Sequence, residues 1–312
     1  MASRFVLTLM TAAFALPALS FAASLHEDYN PQQALAYTAK VAGFGERWPG
    51  SPGHRKTEDL IRQVLKKDGA AIDADNFTAS TPKGMLPVHN IIGRFNVSAD
   101  PKQPIFILAG HYDTLFKPGF IGANDGASST AILLAFADAL AAAQKDGQKT
   151  KMQIWLVWTD LEEAINAFDN ADGLYGSRHL AKKLTADDTA GRVRGFYLLD
   201  MIGDKDLSVA RETGSARWLQ DYIAAAAKQL EYGQYFFQYE MGIIDDHAPF
   251  IQAGIAAVDV VDAMYGRMGP GFDGMGEFHH ANTDTMDRIS AKSLEIVGRT
   301  ILLSVEMLDK QS

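Results

Sequence analysis

Short apolar runs, nearly uninterrupted and separated by helix-length stretches, set the main constraint on this chain. Pro104–Gly110, Met152–Thr159, Val193–Asp200 and Ile255–Val261 read as strands that are apolar on both faces. Ala127–Ala143, Leu174–Leu184, Ser215–Leu230 and Ala291–Leu308 carry helical patterning between and after them. A strand with no polar face must be covered on both sides, and strand–helix alternation supplies that cover from the crossovers of a parallel sheet. Ile72–Asn96 alternates loosely instead and predicts two earlier strands, joined as a hairpin at Pro82-Lys83-Gly84. Two helices come before it, Pro31–Val41 and Ser51–Lys67, the second entered through Ser51-Pro52. The expectation is an α/β fold: a single-domain, mixed but mostly parallel sheet with helices on both faces.

Residues 1–23 stand apart from this pattern. Arg4 precedes an apolar or small stretch from Phe5 to Leu19, and Ser20-Phe21-Ala22-Ala23 offers small residues for cleavage. This is the make-up of an export leader, and it is short for a membrane span. The expectation is a signal peptide over 1–23, a single domain over 24–312, and a periplasmic or secreted product with no membrane attachment beyond export. The formal charge of the whole chain is −9. Arg4 is the only charged residue in the leader, so the remainder is one unit more negative. With no basic stripe, nucleic acid and anionic membranes are excluded as partners. The chain has no cysteine, which removes disulfides, thiol nucleophiles and thiolate ligands together. Any metal must rest on histidine and carboxylate.

Such groups gather at the ends of the apolar runs, where open α/β sheets place their chemistry. His111 and Asp113 follow the first run, and Asp125 sits in Gly122-Ala-Asn-Asp-Gly-Ala-Ser128 before an alanine-rich helix. Capping by Asn124 or Asp125 is as good a reading of that segment as metal binding. Glu162-Glu163 come off a strand containing Trp155 and Trp158. Adjacent side chains at a strand end diverge, so one can hold a metal while the other stays free for proton transfer. Glu163 is assigned the ligand role and Glu162 the shuttle. Asp200 ends the third run; Asp245-Asp246-His247 either caps a short helix or orients a polar substrate. His279-His280 lie in an Asn/Asp-rich loop that makes a ligand plausible. His54 reads as a helix-start residue, Asp204 as solvated, and His26, His89 and His179 as having no part in a site.

In this order, His111-x-Asp113, Asp125, Glu162-Glu163, Asp200 and His280 resemble the co-catalytic zinc aminopeptidase family. Glu162-Glu163-Ala164, Asp172-Gly-Leu-Tyr-Gly-Ser-Arg-His-Leu-Ala181, Leu198-Leu-Asp-Met-Ile-Gly203 and Asp245-Asp-His-Ala-Pro-Phe250 look most like its glutaminyl cyclase branch. The likeness runs from about Gly50 to the C-terminus. It implies a zinc-dependent exopeptidase-like fold and an enzyme that turns N-terminal glutamine of peptides or proteins into pyroglutamate, releasing ammonia. It further implies one zinc held by Asp125, Glu163 and His280, with Glu162 as acid/base and Asp200 and Asp245 in a supporting network. His111 and Asp200 would complete a second site bridged by Asp125, so two ions are compatible with the sequence. Phe168 and His279 stand where animal cyclases have tryptophans and are candidates for the substrate wall. Asp259 stands where those enzymes have histidine. The alternative is an exported two-zinc aminopeptidase with Glu162 as general base for water.

Overall fold

The computed structural model describes residues 24–169, 171–272 and 274–311. The leader expected over residues 1–23 lies outside them. A helical turn, α1 (Leu25–Asp28), leads into α2 (Pro31–Ala42) and α3 (Pro52–Lys67). Both longer helices begin at proline, with the preceding polar side chain as cap. Asn30 accepts from the Gln32 and Gln33 N–H groups, and Ser51 from that of His54. The hairpin follows as β1 (Ala71–Thr81) and β2 (Gly84–Phe95), paired antiparallel in register from Ala71 with Arg94 to Thr81 with Gly84. Then come β3 (Ile105–His111), α4 (Ala127–Lys145), β4 (Gln153–Thr159), α5 (Tyr175–Ala186) and β5 (Val193–Asp200). The chain ends with β6 (Val209–Glu212), α6 (Arg217–Gln229), β7 (Phe236–Met241), α7 (His247–Gln252), β8 (Ala257–Val261) and α8 (Ala291–Gln311).

The main sheet has the order β1-β2-β4-β3-β5-β8, in which β4, β3, β5 and β8 run parallel and the hairpin supplies the antiparallel edge. Every residue of β3, β4 and β8 is buried. One face is covered by a large cluster that includes Ile132 and Phe136 of α4, Ile223 of α6 and Ile301 of α8. On the other, Leu180 and Leu184 of α5 and Phe250 of α7 pack on Ile107, Val157 and Phe196. Helix α4 is long and apolar enough to cross a membrane by composition, but 83% of its most apolar stretch is buried inside the protein. It is the central core helix. Gly93 sits where a Cβ would stand 2.3 Å from Leu65 Cδ2, so its missing side chain is what lets α3 lie close on β2.

Two features depart from the sequence expectations. A small parallel sheet, β6 with β7, was not foreseen. Its strands have only four and six residues, and on β7 buried and exposed positions mix. Asp204, expected in solvent, is buried at 4% exposure, because its backbone bridges to Ile289 and its carbonyl accepts from Ser293 Oγ.

Candidate active site

From β3 the chain crosses through α4 to β4 on one side, then through α5 to β5 on the other. The C-terminal end of β3 therefore lies where the strand order diverges, which is where open α/β sheets leave a crevice. His111 is the last residue of β3 and Asp200 the last of β5, two neighbouring strands. Glu162 and Glu163 follow β4 after a backbone reversal at Leu161, whose φ is 53°. Met201 (φ 48°), directly after Asp200, and His280 (φ 52°) are also left-handed. Non-glycine residues avoid that region at a cost of about 1–3 kcal/mol each, so three such residues beside one crevice mark backbone held for a purpose.

The acidic and histidine groups converge there. His280 Nε2 lies 3.1 Å from Glu163 Oε2 and 3.6 Å from Asp125 Oδ2. His111 Nε2 lies 3.2 Å from both Asp125 Oδ1 and Asp200 Oδ1. Donors about 2.0–2.2 Å from one tetrahedral ion stand roughly 3.3–3.6 Å from each other. The histidine-to-carboxylate separations, 3.1–3.6 Å, come close to that spacing, and the two oxygens of Asp125 face one histidine each. Asp125 Oδ2 is buried without a hydrogen-bond partner, which fits an oxygen that could serve a cation. Oxygen and imidazole donors of this kind suit zinc. His279 stacks on His280 at 3.7 Å between ring centroids, and its ring nitrogen also falls among a set with Asp125 and His280 that could hold a metal.

Neighbouring groups hold these side chains in place. Asp113 accepts from the backbone N–H of Glu162 (3.1 Å) and of Glu163 (3.3 Å), and stands 3.6 Å from His111 Nδ1. Asp284 accepts from the N–H groups of Asn124 (2.8 Å) and Asp125 (3.1 Å) and from Tyr265 OH (2.6 Å). Burial lifts the pKa of Asp284 to about 7. Neither Asn124 nor Asp125 caps α4: its N-cap is Gly126, and the Asn124 side chain instead bonds Met201 O and Gly203 N–H. Asp246 is at the N-cap of α7 but makes no side-chain cap bond; its carboxylate accepts from Thr159 Oγ1.

Electrostatics separate the carboxylates into two kinds. Burial works against a charged Asp125, but its hydrogen bond to His111 and the charge of His280 prevail and hold its pKa well down. Glu162 goes the other way: burial, and then the neighbouring Asp245, push it well above the usual glutamate range. Burial likewise raises Asp245, with Asp200 and Asp246 adding to the effect. Glu162 Oε2 lies 4.0 Å from His111 Nδ1. Phe168 is 45% exposed, its ring against Gly173, close to the carbonyl of Glu162.

Some polar pairs stay outside this set. His54 lies between Asp160 (2.8 Å) and Glu58 (3.2 Å), tying α3 to the end of β4. His26, His89 and His179 pair with Glu306, Glu58 and Asp75. Asp259 is fully buried beside β5, with His247 Nδ1 3.8 Å away.

Residues 90–305 match the family described as Peptidase family M28. A solved glutaminyl cyclase from an Acidobacteriales bacterium is 36% identical, with a TM-score of 0.85, covering 96% of this chain and 100% of that one. A zinc-dependent exopeptidase from Parabacteroides distasonis is 25% identical, with a TM-score of 0.75, over 88% of this chain and 97% of that one. The glutaminyl-peptide cyclotransferase of Drosophila melanogaster is 29% identical over 68% of this chain, which spans 66% of that relative's length. The chain thus has an α/β fold like that of the zinc-dependent exopeptidase, and it belongs to peptidase family M28. Within that family its place is in the glutaminyl cyclase branch.

Proposed function

We propose that this chain is a zinc-dependent glutaminyl-peptide cyclotransferase that converts N-terminal glutamine to pyroglutamate and releases ammonia. The observation that carries the reading is His280 Nε2 at 3.1 Å from Glu163 and 3.6 Å from Asp125, with an uncoordinated acid, Glu162, alongside. Asp125, Glu163 and His280 would hold the ion; His111 and Asp200, sharing Asp125, are the donors for a second. Zinc bound there supplies Lewis-acid polarisation of the glutamine side-chain amide.

The remaining chemistry belongs to the protein. The substrate's own α-amine forms the new N–C bond to the side-chain carbonyl carbon, and the C–N bond to the amide nitrogen breaks. Because nucleophile and electrophile are in one residue, proximity is built into the substrate and no water need be activated. Glu162 takes the proton from the amine and returns it to the departing ammonia. Its buried position beside Asp245 favours a carboxyl that binds a proton readily and gives it back. Asp200 and Asp245 support it. Phe168, with nearly half its surface open, and His279 form the wall for the glutamine and the residue after it.

Residues 1–23 act as an export leader, and 24–312 are the catalytic domain, placing the enzyme outside the cytoplasm with access to peptide and protein N-termini. The test is a product assay with measured zinc content. A glutamine-initiated peptide should yield ammonia and keep its length, with activity lost on chelation and restored by zinc. Release of free amino acids from varied peptides would instead make the chain an aminopeptidase.

A further inference from the structure

One buried cation takes no part in the chemistry above, and no motif singles it out. Arg47 lies in the loop between α2 and α3 and is fully buried. Among the described residues no carboxylate pairs with it. All of the guanidinium's bonds go to backbone carbonyls: Nε to Tyr112 O (3.0 Å), Nη1 to Ile121 O (2.5 Å) and Gly45 O (3.4 Å), Nη2 to Gly122 O (2.9 Å) and Asp125 O (3.2 Å). A guanidinium has five N–H donors in a rigid fork, and each is used here.

Four of the five acceptors belong to one excursion of the chain. It leaves β3 immediately after His111 and returns through Asp125 to the start of α4. The guanidinium fills the inside of that loop. Gly122 and Gly126 make the room: a Cβ on either would stand 3.1 Å from Arg47 Nη2. Both have positive φ, 50° and 86°. The Arg47 N–H donates to Thr114 Oγ1 at 2.8 Å, fixing the arginine's own backbone to the same loop. Asp125 is thus gripped by both of its backbone polar groups, the N–H by Asp284 and the carbonyl by Arg47.

We propose that Arg47 is a positioning residue for the metal-binding set, holding the 112–125 loop so that His111 and Asp125 present their ligand atoms together. The assignment rests on the zinc reading above. Asp125 contributes to both candidate ion sites, so a shift of its backbone disturbs each of them. The positive charge also attracts the carboxylates of Asp125, Asp284, Asp113 and Glu163. Lysine cannot take over: an ammonium has three donors and no fork, so at least two of the five carbonyls lose the bond this side chain gives them.

The test is the zinc dissociation constant of Arg47→Lys, read by competition with a chromophoric chelator, beside the melting temperature of the metal-free protein. Groups that orient metal ligands change affinity by about 10–100-fold when altered, and a rise of that size is expected. Excess zinc should then recover most of the turnover, since ligands and Glu162 are intact. A lower melting temperature with zinc affinity within about twofold of wild type would make Arg47 a fold residue only, and overturns the proposal. If Arg47→Lys does not fold, Thr114→Val is measured instead. It frees the arginine's backbone while keeping the guanidinium, so zinc binding should weaken in the same direction, and unchanged binding overturns the proposal. Wild-type protein that takes up no zinc sinks the metal reading itself, a result separable from either variant.

Discussion

Glu162→Gln separates proton transfer from everything else the site does. The amide has the size of the carboxylate, and the backbone of residue 162 keeps its bonds, N–H to Asp113 and carbonyl from the Leu174 N–H. Asp125, Glu163 and His280 are not touched, so zinc content should stay at the wild-type value. What disappears is a group able to accept the amine proton and return it. Such a role contributes about 10²–10⁴-fold, or roughly 2.7–5.4 kcal/mol of barrier at 1.36 kcal/mol per decade. The loss should fall on kcat, with KM nearly unchanged, because the carboxylate is needed during reaction and not for holding the peptide. Stability should hold or rise, since a neutral amide removes a buried acid that Asp245 already disfavours as an anion. The assay is steady-state ammonia release from a glutamine-initiated peptide, with zinc stoichiometry and melting temperature on the same preparation. Turnover within tenfold of wild type, at equal zinc content, would falsify the shuttle role.

Other expectations follow from single contacts. Phe168→Ala should raise KM for glutamine peptides by roughly fivefold with little change in kcat, the scale of one aromatic contact of about 1 kcal/mol; an unaltered KM removes Phe168 from the substrate wall. Gly93→Ala forces a methyl group to within 2.3 Å of Leu65 Cδ2 and should cost about 1–3 kcal/mol in urea denaturation, with activity of the folded fraction retained. Glu212 is pushed up by burial, but hydrogen bonds from His247, the Gly214 N–H and Ser215 Oγ outweigh this and hold it at about 2. A depressed folded pKa gives stability that is complete above the ordinary value of 4.5 and fades as pH falls toward 2. The urea midpoint of wild type should therefore drop through that window, and Glu212→Gln, less stable at neutral pH, should show a flatter decline; equal slopes would show that Glu212 gains nothing from these partners.

Much of the frame was legible residue by residue. Val193–Asp200 is a strand with the bounds its apolar run marks, and the hairpin turns at Pro82-Lys83 as its alternation suggests. These features depend on local periodicity, which sequence carries directly. Glu162-Glu163 stood out for a similar reason, as charge at the end of a run too apolar to be solvated. The partners that fix the site were not legible in this way. Asp113, two residues after His111, ties down the backbone of Glu162 and Glu163, about fifty positions along the chain. Asp284 lay unremarked in the His279-His280 loop, although it anchors Asn124 and Asp125. The pairing of His54 with Asp160 spans over a hundred residues, and a histidine in the first turn of a helix gives no hint of it.

The amino-acid order alone settled the layering of this protein, because an apolar strand cannot face water and a helix-length crossover is the shortest way to cover it. It also settled which side chains were available for metal chemistry, since a chain without cysteine leaves only carboxylate and imidazole. Tertiary structure decided which of those groups meet. That choice depends on strand order, on left-handed turns at Leu161, Met201 and His280, and on distant carbonyls closing around one guanidinium. Such contacts join positions far apart in the chain, and no local pattern encodes a distance in space.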